Sequence, residues 1–284
     1  MTALKVLGKK IIVDGKVSEA SDFHSGMSAD TYYEVVRLID GKFLFLQDHL
    51  DRLKHSLSGS DIPYPGDGIL RRYLGMLLEN NEIQSGNVRI CMQKKPEDRV
   101  RTCCYFISYF YPSPPMYSEG VKLLTFPYVR SSPGIKRWDG IFRESVGGFI
   151  RENGIYEAAL VNSKKQVTEG SRSNIFFIDR DNRLVSAPEN EMLSGITRKY
   201  VLRICREEGI PVMERPVHLK ELDKMSACFI TGTSPKILPV WQLDGFLFDV
   251  AHPLLSLLME RFDQILQENL EHPGSYSSGK NQTK

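Results

Sequence analysis

Segments typical of β-strands and segments with helical periodicity follow one another along this chain without a regular β-α-β alternation. Residues 32–39, "YYEVVRLI", combine β-branched and aromatic side chains and predict a strand. Residues 46–57, "LQDHLDRLKHSL", predict a helix. Its apolar face consists of Leu46, Leu50, Leu53 and Leu57. Gly59 and Gly209 follow predicted helices and are expected to end them. This irregular mixture of elements predicts an α+β fold with two subdomains.

A stretch rich in Pro, Gly and Ser, "PYVRSSPGI", interrupts the chain near its middle. Such composition is typical of exposed connections between compact units. We therefore predict a smaller N-terminal α/β domain over residues 1–126 and a linker over 127–135. A larger C-terminal domain is predicted over 136–272, followed by a polar tail over 273–284 that we expect to be mobile.

The composition of the 284 residues excludes several classes of protein. A formal net charge of +2, with 25% charged residues, argues against electrostatic binding of nucleic acid. No apolar run approaches the roughly 18 residues of a membrane span, and the N-terminus does not resemble a signal peptide. The cysteine count of 5 is odd and includes no C-x-x-C pair, so we expect a reduced, cytoplasmic protein. The histidines show no metal-ligand spacing, and no metal site is predicted.

One acidic residue stands between β-forming segments in "QVTEGSRSNIFFI", residues 166–178. We expect Glu169 to lie in a turn that leads directly into the apolar strand "IFFI". A surface turn tolerates a carboxylate at little cost. The alternative is that this carboxylate has a partner inside the fold, which would give it a chemical role.

Small, hydroxyl-bearing or glycine residues also end a strand or begin a helix at two later positions. In "LSGITR", Ile196 and Thr197 stand at the start of a predicted helix, whose free backbone N–H groups can bind an anion. In "ITGTSP", Thr233 and Ser234 follow a strand and could donate hydroxyl hydrogen bonds to the same anion. Taken alone, each segment fits an ordinary capped helix or turn equally well.

The order and spacing of these segments resemble those of the fold-type IV pyridoxal-phosphate enzymes. This family includes branched-chain aminotransferases, D-amino acid aminotransferases and 4-amino-4-deoxychorismate lyase. The resemblance covers most of residues 30–245 and implies a D-amino acid aminotransferase-like, two-subdomain architecture. The matching segments are "YYEVVRLIDGKFLFLQDHLDRLKHS", "GIK", "AALVNSKKQVTEGSRSNIFFI", "LSGITRKYVLRICREEGIPVMERPV" and "FITGTSPKILPVWQLDG".

The resemblance assigns roles to individual residues. Lys136 in "GIK" matches the lysine that binds the cofactor, pyridoxal 5′-phosphate, covalently. Glu169 matches the carboxylate that faces the pyridine nitrogen, and Arg52 matches the arginine that holds the phosphate. The remaining phosphate donors would be Ile196, Thr197, Thr233 and Ser234. A carboxylate beside the ring nitrogen keeps it protonated, which strengthens the ring as an electron sink.

The substrate side is less well defined by the resemblance. Tyr33 occupies a position that lines the substrate in relatives, and Arg89, Arg99 or Arg101 could bind a substrate carboxylate. Exposed hairpin arginines would look the same in the sequence. After Lys136, many relatives carry Asn-Tyr or Asn-Leu, whereas this chain continues "KRWDGIFRE".

The resemblance therefore predicts an aminotransferase that exchanges an amino group between an amino acid and a 2-keto acid. The alternatives are a lyase of the 4-amino-4-deoxychorismate type, which would release pyruvate, and a non-catalytic protein that keeps the fold. The resemblance also implies a homodimer with small-molecule substrates. It leaves the identity and stereochemistry of the amino acid open.

Overall fold

The computed structural model describes residues 5–97 and 99–272, which form two compact units. Within these residues, the larger unit comprises Phe110–Ile135 and Ile141–Ile265, and the smaller unit comprises the rest. Residues 110–126 thus belong to the larger unit and Lys136–Gly140 to the smaller one, the reverse of the sequence boundaries. The predicted polar tail, 273–284, lies outside the described residues.

The smaller unit is built on an antiparallel 6-stranded sheet, in the order β2-β1-β6-β5-β3-β4. Its elements are β1 (Val6–Val13), β2 (Lys16–Glu19), β3 (Thr31–Ile39), β4 (Lys42–Phe43), α1 (Leu46–Leu57), α2 (Asp67–Glu79), β5 (Gly86–Lys94) and β6 (Val100–Ile107).

The two faces of this sheet carry different side chains. On one face, Val36 and Leu38 of β3 pack with Leu50 and Leu53 of α1 in an apolar core, as the leucine spacing predicted. Successive strand residues point to opposite faces, so Tyr33 lies on the other face. There it joins a second buried cluster with Tyr105, Cys91 and Cys103, against which Trp138 packs.

The larger unit contains a 10-stranded mixed sheet, in the order β12-β11-β10-β14-β15-β7-β8-β9-β13, with β16 beside β15. Its elements are α3 (Pro114–Glu119), β7 (Val121–Pro127), α4 (Gly140–Glu152), β8 (Glu157–Val161), β9 (Gln166–Gly170), β10 (Asn174–Asp179), β11 (Leu184–Ser186), α5 (Ile196–Glu207), β12 (Val212–Glu214), β13 (Val217–His218), β14 (Met225–Gly232), β15 (Lys236–Leu243), β16 (Phe246–Leu247) and α6 (Pro253–Glu271). The pairs β11–β12, β7–β15 and β7–β8 are parallel.

Backbone hydrogen bonding explains the observed unit boundaries. β7 pairs with β8 and β15, which places residues 121–127 in the larger sheet. The main chain of Lys136 and Trp138 instead bonds to β3. None of the helices in the described part of the chain is long and apolar enough to cross a membrane.

Helix ends differ in how they use glycine. Gly209 follows α5 with φ +67°, in the left-handed region, as predicted for a helix end. The prediction for Gly59 was wrong, because the C-cap that follows α1 is Ser58, in right-handed geometry, and Gly59 does not have a positive φ. Gly120, after α3, also has positive φ, at +76°.

We predict that Gly120→Ala destabilises the protein more than Gly209→Ala. Both residues have positive φ, which costs a residue with a Cβ about 1–3 kcal/mol. A Cβ at Gly120 would also lie 3.0 Å from the Trp241 amide nitrogen and 2.7 Å from Val250 Cγ1, whereas nothing lies within 4 Å at Gly209. Crowding should add about 1–3 kcal/mol, measured by urea unfolding. Equal losses would show that this crowding is relieved without cost.

Candidate functional site

Glu34 is a fully buried carboxylate on the α1-facing side of β3. Its Oε1 accepts a hydrogen bond from Arg52 Nε at 2.7 Å, and its Oε2 accepts one from Arg52 Nη2 at 2.7 Å. His49 Nδ1 lies 2.8 Å from the same Oε2. Burial raises the pKa of Glu34, but the Arg52 guanidinium and the His49 hydrogen bond outweigh it and hold the pKa below its usual range. The Arg52 guanidinium is thereby held by two hydrogen bonds, one from Nε and one from Nη2.

One face of α1 carries the polar residues of the smaller unit that matter here. His49, Arg52 and Ser56 follow each other at helical spacing, so their side chains project from the same side of the helix. The side chains of His49 and Arg52 contact Glu34. Ser56 lies one helical turn after Arg52. Ser56 Oγ accepts a hydrogen bond from the backbone N–H of Lys136 at 3.1 Å. The same helix face therefore orients the predicted phosphate-binding arginine and the main chain of the predicted catalytic lysine.

Lys136 lies on a short extended segment that adds to the edge of β3. Its carbonyl accepts a hydrogen bond from the Tyr33 amide at 3.2 Å, and the Trp138 amide donates to the Thr31 carbonyl at 2.8 Å. Arg137 forms an antiparallel bridge with Tyr32. This pairing fixes the direction of the lysine side chain, whose Nζ lies 5.1 Å from the centre of the Tyr33 ring.

Arg89 reaches the same group of aromatic rings from β5. Its Cζ lies 5.3 Å from the ring centre of Tyr33, 5.5 Å from that of Trp138 and 6.0 Å from that of Tyr105. The side chain is buried, and its Nε has no hydrogen-bond partner within the described residues. The rings stabilise the cation without neutralising it.

The other two predicted carboxylate-binding arginines have different neighbours. Arg99 is 73% exposed and pairs loosely with Glu97 at 3.5 Å. Arg101 packs its guanidinium 4.9 Å from the centre of the Phe23 ring. Of the predicted substrate-side residues, Tyr33 and Arg89 contact each other in this ring cluster. Arg101 borders the cluster through Phe23, whose ring centre lies 4.9 Å from that of Tyr105.

Glu169 is a buried residue of β9 in the larger unit, rather than part of the turn that the sequence predicted. The turn begins only after Gly170. Glu169 Oε1 accepts a hydrogen bond from Arg130 Nε, and its Oε2 accepts one from the Leu193 amide at 3.2 Å. The carboxylate thus has a partner inside the fold. Sequence reasoning missed Arg130, although a cation within the linker "PYVRSSPGI" was a visible signal.

A second buried carboxylate shapes the turn that follows β9. Glu157 of β8 accepts hydrogen bonds from the hydroxyls of Ser171 and Ser173 and from the Arg172 amide, the last at 3.1 Å. Gly170 has its N–H bonded to the Ser173 carbonyl, and an added Cβ would lie 2.1 Å from Ser173 Oγ. The small residues of "TEGSRSN" are therefore required by a tightly bonded turn.

Asn174 connects the two predicted anion-binding segments of the larger unit. Its Nδ2 donates to the Leu193 carbonyl at 2.7 Å, and a Cβ at Gly195 would lie 2.0 Å from its Oδ1. In the sheet, Asn174 pairs with Thr231 of β14. Asn174 thus borders both segments. Ile196 and Thr197 open α5 directly after Gly195, and Thr233 and Ser234 follow the end of β14.

A glycine at the start of α5 matters for anion binding. Gly195 precedes the helix in extended conformation and has no side chain that could cap the first turn. The amides of Ile196 and Thr197 point out of the N-terminal end of the helix, where the helix dipole favours negative charge. This end of α5 is therefore suited to a phosphate group.

Comparison with known proteins matches these features to one family. A model of the family described as amino-transferase class IV matches residues 31–243. A Methanocaldococcus jannaschii protein provisionally named a branched-chain-amino-acid aminotransferase is 32% identical over 82% of this chain and 85% of its own. A D-alanine aminotransferase of Listeria monocytogenes serotype 4b (strain F2365) is 31% identical over 76% of this chain and 79% of its own.

The fold is also found among solved structures. The branched-chain amino acid aminotransferase of Escherichia coli has a TM-score of 0.78 at 19% identity, and the alignment covers 92% of this chain and 95% of that one. A branched-chain amino acid aminotransferase from T.th., solved with pyridoxamine 5′-phosphate, has a TM-score of 0.81 at 19% identity. That alignment covers 95% of this chain and 98% of the other. At this level of identity the likeness concerns the fold.

We predict that His49 makes the stability of the protein fall as the pH drops below about 6.5. Burial lowers the pKa of His49, and the charges of Arg52 and Lys136 act in the same direction, although Glu34 opposes them. The unfolded chain therefore binds a proton that the folded chain does not. The free energy of unfolding should fall by up to about 1.4 kcal/mol per pH unit.

Urea unfolding between about pH 7 and pH 5 measures this slope. His49→Gln keeps a donor for Glu34 and should flatten the profile, whereas His55→Gln, an exposed change on the same helix, should not. Glu34 does not interfere, because its contribution is lost only below its ordinary pKa of 4.5. Parallel profiles for the wild type and His49→Gln would contradict the prediction.

Proposed function

Because this chain belongs to the class IV amino-transferases, we propose that it exchanges an amino group between an amino acid and a 2-keto acid with pyridoxal 5′-phosphate as cofactor. The observation that carries this proposal is the placement of Lys136. Its main chain is fixed by Ser56 and β3, and its amine lies beside the Tyr33 ring.

The residues present in each unit fit this cofactor. In the smaller unit, Arg52 is a partly buried arginine that Glu34 holds in a fixed orientation, which suits a phosphate. In the larger unit, the start of α5 supplies the Ile196 and Thr197 amides, and Thr233 and Ser234 supply hydroxyls. Glu169 is a buried carboxylate that can accept a ring N–H. When bound, pyridoxal phosphate supplies an electron sink for the negative charge that develops at the substrate α-carbon.

Lys136 is the residue that we propose for proton transfer. Its amine must be neutral to accept the proton of the substrate α-carbon and to return it elsewhere. The Lys136 side chain is half-buried and lies beside the Tyr33 ring. The anchored main chain limits how far this amine can move between the two proton transfers.

Arg89 is the residue that we propose for binding the substrate carboxylate. Arg52 and Arg130 already pair with Glu34 and Glu169. Arg89 is instead surrounded by the rings of Tyr33, Tyr105 and Trp138. An incoming carboxylate would meet a desolvated guanidinium, where charge-assisted hydrogen bonds are strong.

The remaining expectations concern assembly and compartment. We propose a homodimer, as the family resemblance implies, with small-molecule amino acids and keto acids as the only other partners. The cysteines Cys91, Cys103, Cys104, Cys205 and Cys228 are all buried and free. Unpaired thiols support a reducing compartment, and we propose the cytoplasm.

We predict that Lys136→Ala abolishes amino transfer. Protein loaded with pyridoxal phosphate is mixed with single L-, D- and branched amino acids, and the 2-keto acid formed is measured. The wild type should convert at least one amino acid, and Lys136→Ala should lower the rate at least about 100-fold because the transferring amine is lost. Lys164→Ala, which changes an exposed lysine, is the control and should leave the rate unchanged.

The same assay separates the other functions of this fold. Pyruvate released from 4-amino-4-deoxychorismate without an added keto acid would establish a lyase and contradict amino transfer. Cofactor binding with no conversion of any substrate would indicate a non-catalytic protein.

We predict that Arg89→Met raises the KM for the amino donor about 10-fold or more, since a charge-assisted pair to the substrate is lost. Methionine keeps much of the side-chain volume, so the ring cluster should stay packed. Arg99→Met removes an exposed arginine of the neighbouring hairpin and should leave KM unchanged. An increase in KM for Arg99→Met, with none for Arg89→Met, would show that Arg99 rather than Arg89 binds the substrate carboxylate.

A further inference from the structure

Arg130 contacts the carboxylate to which the family resemblance gives the central electrostatic role. Its Nε donates to Glu169 Oε1 from the segment that follows β7. The Arg130 side chain is 14% exposed and that of Glu169 is 3% exposed, so water screens the pair weakly. The resemblance gave no role to Arg130, and no feature of the local sequence requires an arginine there.

Two further contacts confine this pair. The Arg130 guanidinium lies 5.9 Å from the centre of the Phe142 ring, which is itself stacked on Tyr128 at 4.0 Å. The Leu193 amide binds the second oxygen of Glu169. Glu169 therefore joins three segments: β9, the chain after β7, and the chain three residues before α5.

The charge of Glu169 depends on such a partner. A carboxylate buried without a cation takes up a proton, because desolvation disfavours its charged form. A neutral Glu169 would no longer favour a protonated ring nitrogen. An ionised carboxylate has about four acceptor sites, so binding to Arg130 and to the Leu193 amide is compatible with accepting a ring N–H as well.

We propose that Arg130 is a positioning residue that keeps Glu169 ionised and oriented, and that it sets the cofactor affinity through Glu169. This inference rests on the proposed function, since it takes Glu169 as the acid that faces the cofactor ring. Arg130 itself touches no reacting atom in this proposal. Its effect passes entirely through the carboxylate.

A double-mutant cycle tests that statement. Wild type, Arg130→Met, Glu169→Gln and the double variant are prepared without cofactor and titrated with pyridoxal phosphate, with its visible absorbance as the signal. Each single change should weaken binding about 10-fold or more. The double variant should bind within about 2-fold of Glu169→Gln alone, because both changes remove the same interaction.

Two further variants separate this role from a structural one. Arg130→Lys retains the positive charge and should recover part of the affinity. Arg143→Met is the matched control, because Arg143 lies 5.9 Å from the centre of the same Phe142 ring but donates to the Ser171 carbonyl. It should bind cofactor like the wild type. Thermal unfolding without cofactor records the structural cost of each change.

Each outcome decides the proposal. Unchanged affinity in Arg130→Met, even with a lower thermal midpoint, would overturn it and leave a purely structural ion pair. Additive losses in the double variant would also overturn it, since Arg130 would then act independently of Glu169. If the wild type binds no pyridoxal phosphate at all, the proposed function itself is wrong. If the wild type binds pyridoxal phosphate and Arg130→Met binds it equally well, the role of Arg130 is wrong but the proposed function stands.

Discussion

Burying a carboxylate is the physical constraint around which both units are organised. Glu34, Glu157 and Glu169 are all buried. Each would cost several kcal/mol to bury as an ion without compensation, and each is compensated differently. Glu34 receives a bidentate arginine and a histidine. Glu157 receives two hydroxyls, an amide and the Arg172 guanidinium, whose Nε lies 3.7 Å from Oε1. Glu169 receives an arginine and an amide. The local backbone around each acid has to bring these donors to it.

The positions of the functional residues follow from that requirement. In the smaller unit, Glu34 holds Arg52 on α1, and Ser56 one turn later holds the main chain of Lys136. In the larger unit, the turn that Glu157 organises follows directly after Glu169. The amide that binds Glu169 belongs to Leu193, three residues before the open end of α5. The contacts that compensate the buried acids Glu34 and Glu169 thus also position proposed functional groups.

Local patterns in the sequence predicted local features well. The leucine spacing located α1, and the glycine after α5 located its end, because both depend on neighbouring residues only. The contacts that define the site are not local. Arg130 lies 39 positions from Glu169, and Ser56 lies 80 positions from Lys136. In the larger unit, β7 pairs with β8 and β8 pairs with β9, which brings the chain after β7 close to Glu169. In the smaller unit, the Lys136 segment pairs with β3, against which α1 packs. No periodicity in the sequence records either pairing. Glu169 was expected in a turn because its small neighbours suggested one, whereas strand pairing extends to Gly170.

Arg89 differs from Arg52 and Arg130 in how its charge is balanced, and we propose a functional reason for this difference. Arg52 and Arg130 are balanced by protein carboxylates, as suits groups that must keep one position through many reaction cycles. Arg89 is surrounded by aromatic rings, which stabilise a cation by roughly 0.5–2 kcal/mol without supplying a competing anion. A substrate has to enter and leave. A cation that a buried acid already neutralised would gain little from an incoming carboxylate, whereas one held by rings gains a full charge partner. Trp138, which departs from the family pattern, contributes one of these rings. The unusual sequence after Lys136 therefore contacts the arginine that we propose for the substrate carboxylate.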